Sequence, residues 1–340
     1  MRPFAPGRQL APGYEVIAHL ARSNVLDVYD AWSHERACRC VVKLLRPDRR
    51  GDERAARALL GEGRLLQRLC HPHIVRGYET LFEPLPAVVM ETLRGETVAH
   101  LVERRARRLG AAELGHLGVH LCSAISYLHG IGVLHLDLKP SNVIAEAGRA
   151  KIIDLSVARA PGPIEPGIGT WCYMAPEQAR GGAVGPPADV WGIAAILYEA
   201  ATGDAAFGDD DDEDVEYPSL ARAAHPVARG RRLPDVLAAA IDAGLRADPA
   251  ERPSVAQLGA ACERAAGLPA AERRFAAQLG VGEDHERGPR RSTTAAALTD
   301  DPCRRERAPG SGRVLLGAEL AAHVCDPARV LGHDVASRRG

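Results

Sequence analysis

Three short segments carry the residues best suited to chemistry in this chain of 340 residues. They read HLDLKPSN at 135–142, KIIDLS at 151–156 and GTWCYMAPEQ at 169–178. Asp137 can orient a hydroxyl group and accept its proton, while Lys139 can neutralise charge on a phosphoryl group in transfer. Asn142 and Asp154 add two oxygen ligands, and Mg²⁺ prefers few carboxylates supplemented by phosphate oxygens and water. The three segments together predict a phosphoryl-transfer site that uses Mg²⁺.

The patterns around these segments divide the chain into a strand-rich part and a helical part. Strands are indicated within 14–45 and at 87–93, and helices at 52–69, from about 111, at 189–203, at 234–246 and at 254–266. The fold class predicted is therefore α+β, with a small β-rich first lobe and a larger α-helical second lobe. We place a leader at 1–11, the first lobe at 12–92, the second lobe at 93–266 and an Ala- and Arg-rich, disordered tail at 267–340.

Composition argues against several classes of function. The net charge of −1 gives no reason to expect binding to nucleic acid or to an anionic membrane surface. The N-terminus lacks the apolar core of a signal peptide, and no apolar run approaches the ~20 residues of a membrane helix. The eight cysteines form no C-x-x-C pair, which argues against structural zinc and favours reduced, mostly buried thiols. These features predict a cytoplasmic protein without a membrane span.

The same motifs resemble those of eukaryotic-type serine/threonine protein kinases, a family that also occurs in bacteria as Hanks-type kinases. His135-Leu136-Asp137 stands where that family has H-R-D, Asp154-Leu155-Ser156 where it has D-F-G, and Ala175-Pro176-Glu177 matches A-P-E. Residues 248–253, DPAERP, are similar to a late segment whose arginine pairs with the glutamate of A-P-E. The resemblance covers about residues 12–266, and it implies a buried ion pair between Glu177 and Arg252.

The resemblance implies that the chain binds ATP and Mg²⁺ between the lobes and phosphorylates Ser or Thr hydroxyls of protein substrates. The implied catalytic residues are Asp137, Lys139, Lys43 and Glu62, and the implied metal ligands are Asn142 and Asp154. The implied nucleotide-binding residues are Lys43, Ala21, Ser23, Val28, Met90, Glu91, Leu93, Asn142 and Asp154. In the family, the lysine of this set holds the α and β phosphates of ATP and pairs with the helix glutamate. Lys139 and Thr170 resemble the pattern of serine/threonine kinases rather than tyrosine kinases.

Two departures from the family pattern concern nucleotide binding. Ala21, Ser23 and Leu26 occupy the three glycine positions of the phosphate loop, so we expect a weaker grip on the nucleotide or a loop that sits higher. Glu62 is flanked by Gly61 and Gly63, and each glycine inside a helix costs about 1 kcal/mol. We therefore expect a helix at 52–69 that loosens easily and an ion pair that forms only conditionally.

A third departure concerns regulation. Leu136 replaces the arginine that reads a phosphate on the activation segment in the family. Residues 157–169 contain no Ser, Thr or Tyr. Both features predict an activation segment that is placed constitutively, without a phosphorylation switch.

Two alternatives to a protein kinase remain open. A pseudokinase scaffold would keep the fold and bind partners or nucleotide without transfer, although every charged catalytic position is present here. A small-molecule phosphotransferase of related fold is disfavoured by the intact segment 169–177 and by Arg252, which resemble a protein-substrate platform. Outside the lobes' motifs, the acidic run at 208–217 is expected to be a solvated loop, and RRSTT at 290–294 to be a self-phosphorylation site.

Overall fold

The first lobe of the computed structural model, which describes residues 2–104, 108–208 and 217–279, is built on an antiparallel sheet of six strands in the order β1-β2-β3-β4-β6-β5. The strands are β1 Gln9–Ala11, β2 Tyr14–Arg22, β3 Leu26–Ser33, β4 Cys38–Leu45, β5 Gly77–Leu81 and β6 Ala87–Glu91. Helix α1, Glu53–Arg68, packs on this sheet against β5 and β6. A β-rich lobe with one helix is what the sequence predicts.

Alternation along β4 places successive side chains on opposite faces of the sheet. Cys40, Val42 and Leu44 are buried in an outer apolar cluster. Lys43 lies on the other face, where it contacts Glu62 of α1. The alternation of the strand therefore places Lys43 on the face of the sheet that packs against α1 and faces the second lobe.

The N-terminal segment corrects one predicted boundary. Gln9–Ala11 pairs with β2, and Leu10 is buried in the outer cluster. Phe4 packs on the same cluster, and its N–H donates to the Tyr29 hydroxyl at 2.9 Å. Phe4 and Gln9–Ala11 thus pack with the first lobe, so the described part of 1–11 is joined to the sheet that the prediction began at 12.

The second lobe is mainly helical, as predicted. Its helices are α2 Val98–Arg104, α3 Ala111–Gly130, α4 Pro176–Arg180, α5 Pro186–Thr202, α6 Pro218–Ala221, α7 Asp235–Gly244, α8 Val255–Ala265 and α9 Arg274–Gln278. Helices α3, α5 and α8 pack together around the main core. Helix α5 is buried on nearly every side and is followed by Gly203, whose φ of 87° makes it a left-handed glycine cap.

Two small sheets position the loops between the lobes. One consists of β7 Glu96–Thr97, β8 Val143–Glu146 and β9 Arg149–Ile152, and the other of β10 Gly162–Ile164 and β11 Gly182–Val184. Strand β9 is joined to the first lobe, because Val75 N–H donates to Ile152 O at 2.8 Å and Ile152 N–H donates to His73 O at 3.0 Å. The segment that leads to Asp154 is therefore tied to both lobes.

The predicted tail begins with ordered structure. Helix α9 follows residue 266, and its Phe275 is buried against the main core. Glu263 of α8 accepts hydrogen bonds from the N–H groups of Phe275, at 2.9 Å, and Ala276, at 3.0 Å. The packed lobe consequently extends beyond 266. The predictions for the acidic run, for RRSTT and for disorder after 279 lie outside the described residues.

Candidate active site

The residues predicted from the segment 135–142 meet in one hydrogen-bonded group. Thr170 Oγ1 donates to Asp137 Oδ1 at 2.6 Å, and Lys139 Nζ donates to Thr170 Oγ1 at 2.7 Å. Asn142 Nδ2 donates to the backbone oxygen of Asp137 at 2.9 Å and to its Oδ2 at 3.1 Å. Lys139 Nζ lies 3.5 Å from Asp137 Oδ2. The arrangement places a cation and a hydroxyl beside a carboxylate that can take a proton.

The backbone of this loop is held by Asp189, a residue that the sequence reasoning missed. Its buried carboxylate accepts hydrogen bonds from the N–H groups of His135, at 2.9 Å, and Leu136, at 2.8 Å. His129 Nε2 lies 2.8 Å from the same carboxylate. Leu136 has a φ of 63°, an uncommon left-handed conformation for a bulky residue, and these contacts hold it there. An acid in the first turn of an otherwise apolar helix is the sequence signal that could have identified Asp189.

Lys43, Glu62 and Asp154 form a second group of charges in the cleft. Lys43 Nζ lies 3.0 Å and 2.8 Å from the two carboxylate oxygens of Glu62, and 3.2 Å from Asp154 Oδ2. Leu155 N–H donates to Glu62 Oε1 at 3.1 Å. The lysine strand, helix α1 and the segment after β9 thus converge at one ammonium group.

Burial and neighbouring charge set the protonation states of this group. Burial by itself lowers the pKa of Lys43, but the adjacent Asp154 and Glu62 raise it above its usual value. Burial raises the pKa of Asp154, but Lys43 and hydrogen bonds from Ser156 hold it well below its usual range. For Glu62, burial dominates over the attraction of Lys43 and raises the pKa to about 7. Lys43 and Asp154 therefore both carry charge at neutral pH.

Asn142 and Asp154 provide oxygen atoms that fit a magnesium ion. They lie at the same end of the β8–β9 hairpin, where Ile153 N–H donates to Asn142 O at 3.0 Å. Within the described residues, the Asn142 amide oxygen accepts no hydrogen bond, whereas the amide nitrogen donates to Asp137. The Asp154 side chain is 29% exposed. One neutral oxygen and one ionised carboxylate suit Mg²⁺, which completes its shell with phosphate oxygens and water.

The segment that joins the two lobes contains the predicted adenine contacts. Met90 is buried in the main core, at the back of the cleft. The Glu91 N–H donates to Arg76 O at 3.0 Å, and the Glu91 carboxylate contacts Lys151 Nζ. The Leu93 N–H has no protein acceptor among the described residues, so it can serve an adenine ring. Of the implied nucleotide-binding residues Glu91 and Leu93, Glu91 already uses its N–H within the protein.

The turn between β2 and β3 contains the predicted phosphate-loop residues. Ala21 pairs with Val28, and Val28 pairs in turn with Lys43 on β4. The turn is therefore next to the charged group in the cleft. Ser23 Oγ accepts a hydrogen bond from Leu26 N–H at 3.0 Å, and the Leu26 side chain packs on the main core. Weaker binding of the nucleotide by this turn stays a prediction.

Gly63 is required by packing, whereas an easily loosened helix and a conditional ion pair of Lys43 and Glu62 stay predictions. A Cβ at Gly63 would lie 2.3 Å from Thr80 Oγ1 and 2.8 Å from Val88 Cγ2, closer than real side chains approach. A Cβ at Gly61 would meet nothing within 4 Å. Helix α1 thus approaches the sheet closely at Gly63, and this approach carries the neighbouring Glu62 into the cleft.

The activation segment, 154–177, is fixed by backbone pairing and by a side chain that the sequence reasoning did not consider. Leu134 and Arg159 exchange two backbone hydrogen bonds, of 2.7 Å and 3.0 Å, and β10 pairs with β11. Gln178 Nε2 donates to Leu136 O at 2.7 Å and to Ile168 O at 2.8 Å. The buried Gln178 amide therefore joins the catalytic loop to the activation segment.

The ion pair expected between Glu177 and Arg252 is present. Arg252 donates from two nitrogens to the two carboxylate oxygens of Glu177, at 2.7 Å and 2.8 Å. Its remaining contacts include the backbone oxygens of Pro187, at 3.0 Å, and Arg246, at 2.8 Å. The guanidinium also lies over the Trp191 ring, 4.9 Å from the centroid. The pair ties the end of the activation segment to helix α5 and to the loop between α7 and α8.

Two further findings concern the helices and the cysteines. None of the helices formed by residues 2–104, 108–208 and 217–279 has the length and apolar character that crossing a membrane requires. The cysteines in these ranges are free thiols, of which Cys40, Cys122 and Cys262 are buried and Cys70 is exposed.

Comparison with known proteins identifies the family. The sequence profile of the protein kinase domain matches residues 14–261. A probable serine/threonine-protein kinase of Streptomyces coelicolor is 31% identical over 208 residues, which are 57% of this chain and 31% of that protein. Serine/threonine-protein kinase PknK of Mycobacterium tuberculosis is 30% identical over 264 residues, 75% of this chain and 24% of that protein. Serine/threonine-protein kinase PknB of Mycobacterium leprae is 33% identical over 188 residues, 52% of this chain and 30% of that protein.

The extent of these matches differs between this chain and its relatives. The chain spans about a third or less of the length of the curated relatives just described. The profile match, in contrast, takes in both lobes and every residue of the two charged groups in the cleft. With its two-lobed fold, the chain belongs to the protein kinase family.

Proposed function

We propose that this chain is a serine/threonine protein kinase that transfers the γ-phosphoryl group of ATP to Ser and Thr hydroxyls of proteins. The observation that carries the proposal is the hydrogen-bonded group of Asp137, Lys139 and Thr170. A threonine hydroxyl already sits 2.6 Å from the Asp137 carboxylate, which is the position that an acceptor hydroxyl needs for proton transfer. The side chains there are ready to receive a hydroxyl substrate.

In the proposed reaction, the acceptor oxygen bonds to the γ-phosphorus as the bond from that phosphorus to the β–γ bridging oxygen breaks. ADP leaves, and the hydroxyl proton passes to Asp137. Lys139 stabilises the negative charge on the phosphoryl oxygens during the transfer. Positioning and charge stabilisation supply most of the rate gain in reactions of this type, because no covalent intermediate with the protein is needed.

The second charged group holds the nucleotide in this proposal. Lys43 contacts the α and β phosphates, and Glu62 keeps the lysine extended into the cleft. Asn142 and Asp154 hold Mg²⁺, which neutralises phosphate charge when bound. The free N–H of Leu93 receives the adenine ring, with Met90 behind it.

We further propose that the activation segment needs no phosphorylation to reach its working position. Residues 157–169 contain no hydroxyl side chain, and Leu136 cannot bind a phosphate. Gln178 instead supplies the connection between the catalytic loop and this segment. Mapping phosphates on active protein tests the proposal, because a stimulatory phosphate within 154–177 contradicts it.

The acceptors are proposed to be proteins, and the compartment to be the cytoplasm. The ion pair of Glu177 and Arg252 braces the segment on which a polypeptide acceptor would lie. The net charge of −1 offers no general attraction for nucleic acid. ATP and reduced thiols are both characteristic of the cell interior.

The test is transfer of label from γ-labelled ATP to a mixed protein acceptor, followed by analysis of the phosphorylated residues. We expect phosphoserine and phosphothreonine, no phosphotyrosine, and loss of transfer in Asp137→Asn. The same assay on the full chain, with no protein acceptor added, measures self-phosphorylation, for which RRSTT at 290–294 is the proposed target. Nucleotide binding with no transfer to any protein identifies a pseudokinase scaffold instead, and transfer only to small molecules identifies a small-molecule phosphotransferase.

A further inference from the structure

The β2–β3 turn closes on itself through side chains rather than through glycine. Arg22 and Asp27 face each other across the two strands, and the arginine donates twice to the carboxylate, at 2.7 Å and 2.9 Å. His19 Nε2 lies 3.0 Å from the same carboxylate. Asp27 is fully buried, whereas the Arg22 and His19 side chains are about a quarter exposed. A buried carboxylate thus anchors both strands where the turn begins.

The charge of Asp27 is stabilised by its partners. Burial by itself raises the pKa of the carboxyl group, but the hydrogen bonds with Arg22 and His19, together with the positive charge of Arg22, lower it below its usual value. Three polar contacts satisfy a carboxylate that burial would otherwise penalise. Asp27 is therefore ionised and firmly held.

The backbone of the turn is also saturated with contacts. The Ser23 N–H donates to Leu26 O at 2.8 Å, and Ser23 Oγ accepts from Leu26 N–H at 3.0 Å. Arg46 donates to the carbonyl oxygens of Ser23, at 3.1 Å, and Asn24, at 3.2 Å, while its own N–H donates to Val25 O at 2.9 Å. The turn therefore keeps one shape without help from a ligand.

This shape does not require glycine. Among the described non-glycine residues, φ is positive only at Ala37, Leu136 and Ala147, none of which is in the turn. Ala21, Ser23 and Leu26 consequently adopt ordinary backbone conformations, and the side chains of Ser23 and Leu26 add contacts that glycine could not make. Where the family has a flexible glycine-rich loop, this chain has a turn held by side-chain and backbone hydrogen bonds.

We propose that Asp27 is a positioning residue that preforms the turn 22–27 beside the nucleotide phosphates. The turn adjoins Val28, which pairs with Lys43, so its shape decides how the nucleotide site is covered. A turn that is already ordered loses little conformational freedom when nucleotide binds. The inference rests on the proposed nucleotide binding, and it assigns to a side-chain cluster the part that a glycine-rich loop plays elsewhere.

The matched control is Asp30, on the same strand. Asp30 is equally buried and also receives two donors from one arginine, Arg39, but it lies farther from the turn. Asp27→Asn and Asp30→Asn therefore both neutralise a buried carboxylate on β3, and only the first alters the turn. Arg22→Gln provides a second variant whose changed side chain is partly exposed.

The experiment measures amide hydrogen exchange at 22–27 without nucleotide, MgADP binding by calorimetry, and KM and kcat for ATP. We expect Asp27→Asn to speed exchange at Val25 and Leu26, and to raise the Kd for MgADP and the KM for ATP about three- to tenfold, while kcat and the KM for the protein acceptor change little. Arg22→Gln should shift the same quantities in the same direction. Asp30→Asn should leave the exchange of the turn and the KM for ATP at wild-type values.

The measurements on the variants test the role of Asp27, and phosphoryl transfer by the wild type tests the proposed function. Unchanged exchange and MgADP affinity in Asp27→Asn and in Arg22→Gln overturn it, even when phosphoryl transfer is normal. Equal effects of Asp27→Asn and Asp30→Asn also overturn it, because they show a general loss of lobe stability. A wild-type chain that binds MgADP but transfers nothing refutes the proposed function, and the expected binding and exchange shifts still support the inference. A wild-type chain that binds no MgADP overturns both.

Discussion

The two glycines beside Glu62 make a paired test of how helix α1 is placed. Gly61→Ala and Gly63→Ala make the same chemical change on the same helix, two residues apart. At Gly61 the added methyl group meets nothing within 4 Å, but at Gly63 it would lie 2.3 Å from Thr80 Oγ1 and 2.8 Å from Val88 Cγ2. Thr80 can rotate away, whereas Val88 is fully buried on β6.

The expected magnitudes follow from these distances. Replacing glycine by alanine inside a helix stabilises it by about 1 kcal/mol. Gly61→Ala should therefore raise the free energy of unfolding by that amount, and Tm by about 2–4 °C in a domain of this size. Gly63→Ala gains the same propensity but suffers overpacking, which typically costs about 1–3 kcal/mol. Its net effect should lie between neutral and about 2 kcal/mol destabilising.

The assay combines urea unfolding with steady-state kinetics. Because the clash at Gly63 pushes α1 away from the sheet, it should separate Glu62 from Lys43 and raise the KM for ATP, whereas Gly61→Ala should leave it unchanged. The refuting result is an equal stabilisation by both substitutions with equal KM values. That outcome would mean that the close approach at Gly63 does not place the helix.

Further predictions concern two anchors of the second lobe, Gln178 and Arg252, and two buried histidines. Gln178→Leu removes the amide that joins two buried carbonyl groups, so the free energy of unfolding in urea should fall by about 1–3 kcal/mol. The kcat should fall by a larger factor than the KM for ATP rises. An unchanged kcat contradicts the positioning role of Gln178. Arg252→Met leaves the Glu177 carboxylate unpaired, so a loss of about 3–5 kcal/mol is expected by thermal or urea unfolding, and a loss below about 1 kcal/mol contradicts the account. Burial lowers the pKa of His71 and of His120 to about 4. The unfolded chain, with histidine pKa values of about 6.5, binds more protons between these values, so stability should fall as pH drops from about 6.5 to 4, and less steeply in His120→Gln.

The positions of the longer helices of the second lobe along the chain were predictable from their apolar residues. Expected bounds of 234–246 and 254–266 correspond to Asp235–Gly244 and Val255–Ala265. The cap at Gly203 was equally readable, since a left-handed residue after a helix favours glycine. The local sequence pattern was sufficient to predict these features because they depend only on residues of the same helix.

The charged residues of the cleft were also identified from motif order and spacing. Lys43, Glu62 and Asp154 meet at one point, as the resemblance implies. Sequence order alone cannot derive such a convergence, because the three residues come from a strand, a helix and a loop that are far apart in the chain. The family resemblance supplied what local physics could not.

The errors arose where a residue's role depends on a distant partner. The packing role of Gly63 was missed because the side chains that leave no room for a methyl group there, Thr80 and Val88, lie on β5 and β6. Asp189 was read as part of a buried helix, since its partners lie more than fifty positions away at His135 and Leu136. Residues at the N-terminus were taken for a leader because a strand of three residues is too short to show a period.

The central claim is that Asp137 accepts the proton of a hydroxyl group presented beside a bound nucleotide. The most direct test is the single-turnover rate of γ-phosphoryl transfer to a protein acceptor in the wild type and in Asp137→Asn, with the Kd for MgATP measured on both. The account predicts a rate lower by about 10²- to 10⁴-fold in the variant and an essentially unchanged Kd. Equal transfer rates at equal nucleotide occupancy would contradict it.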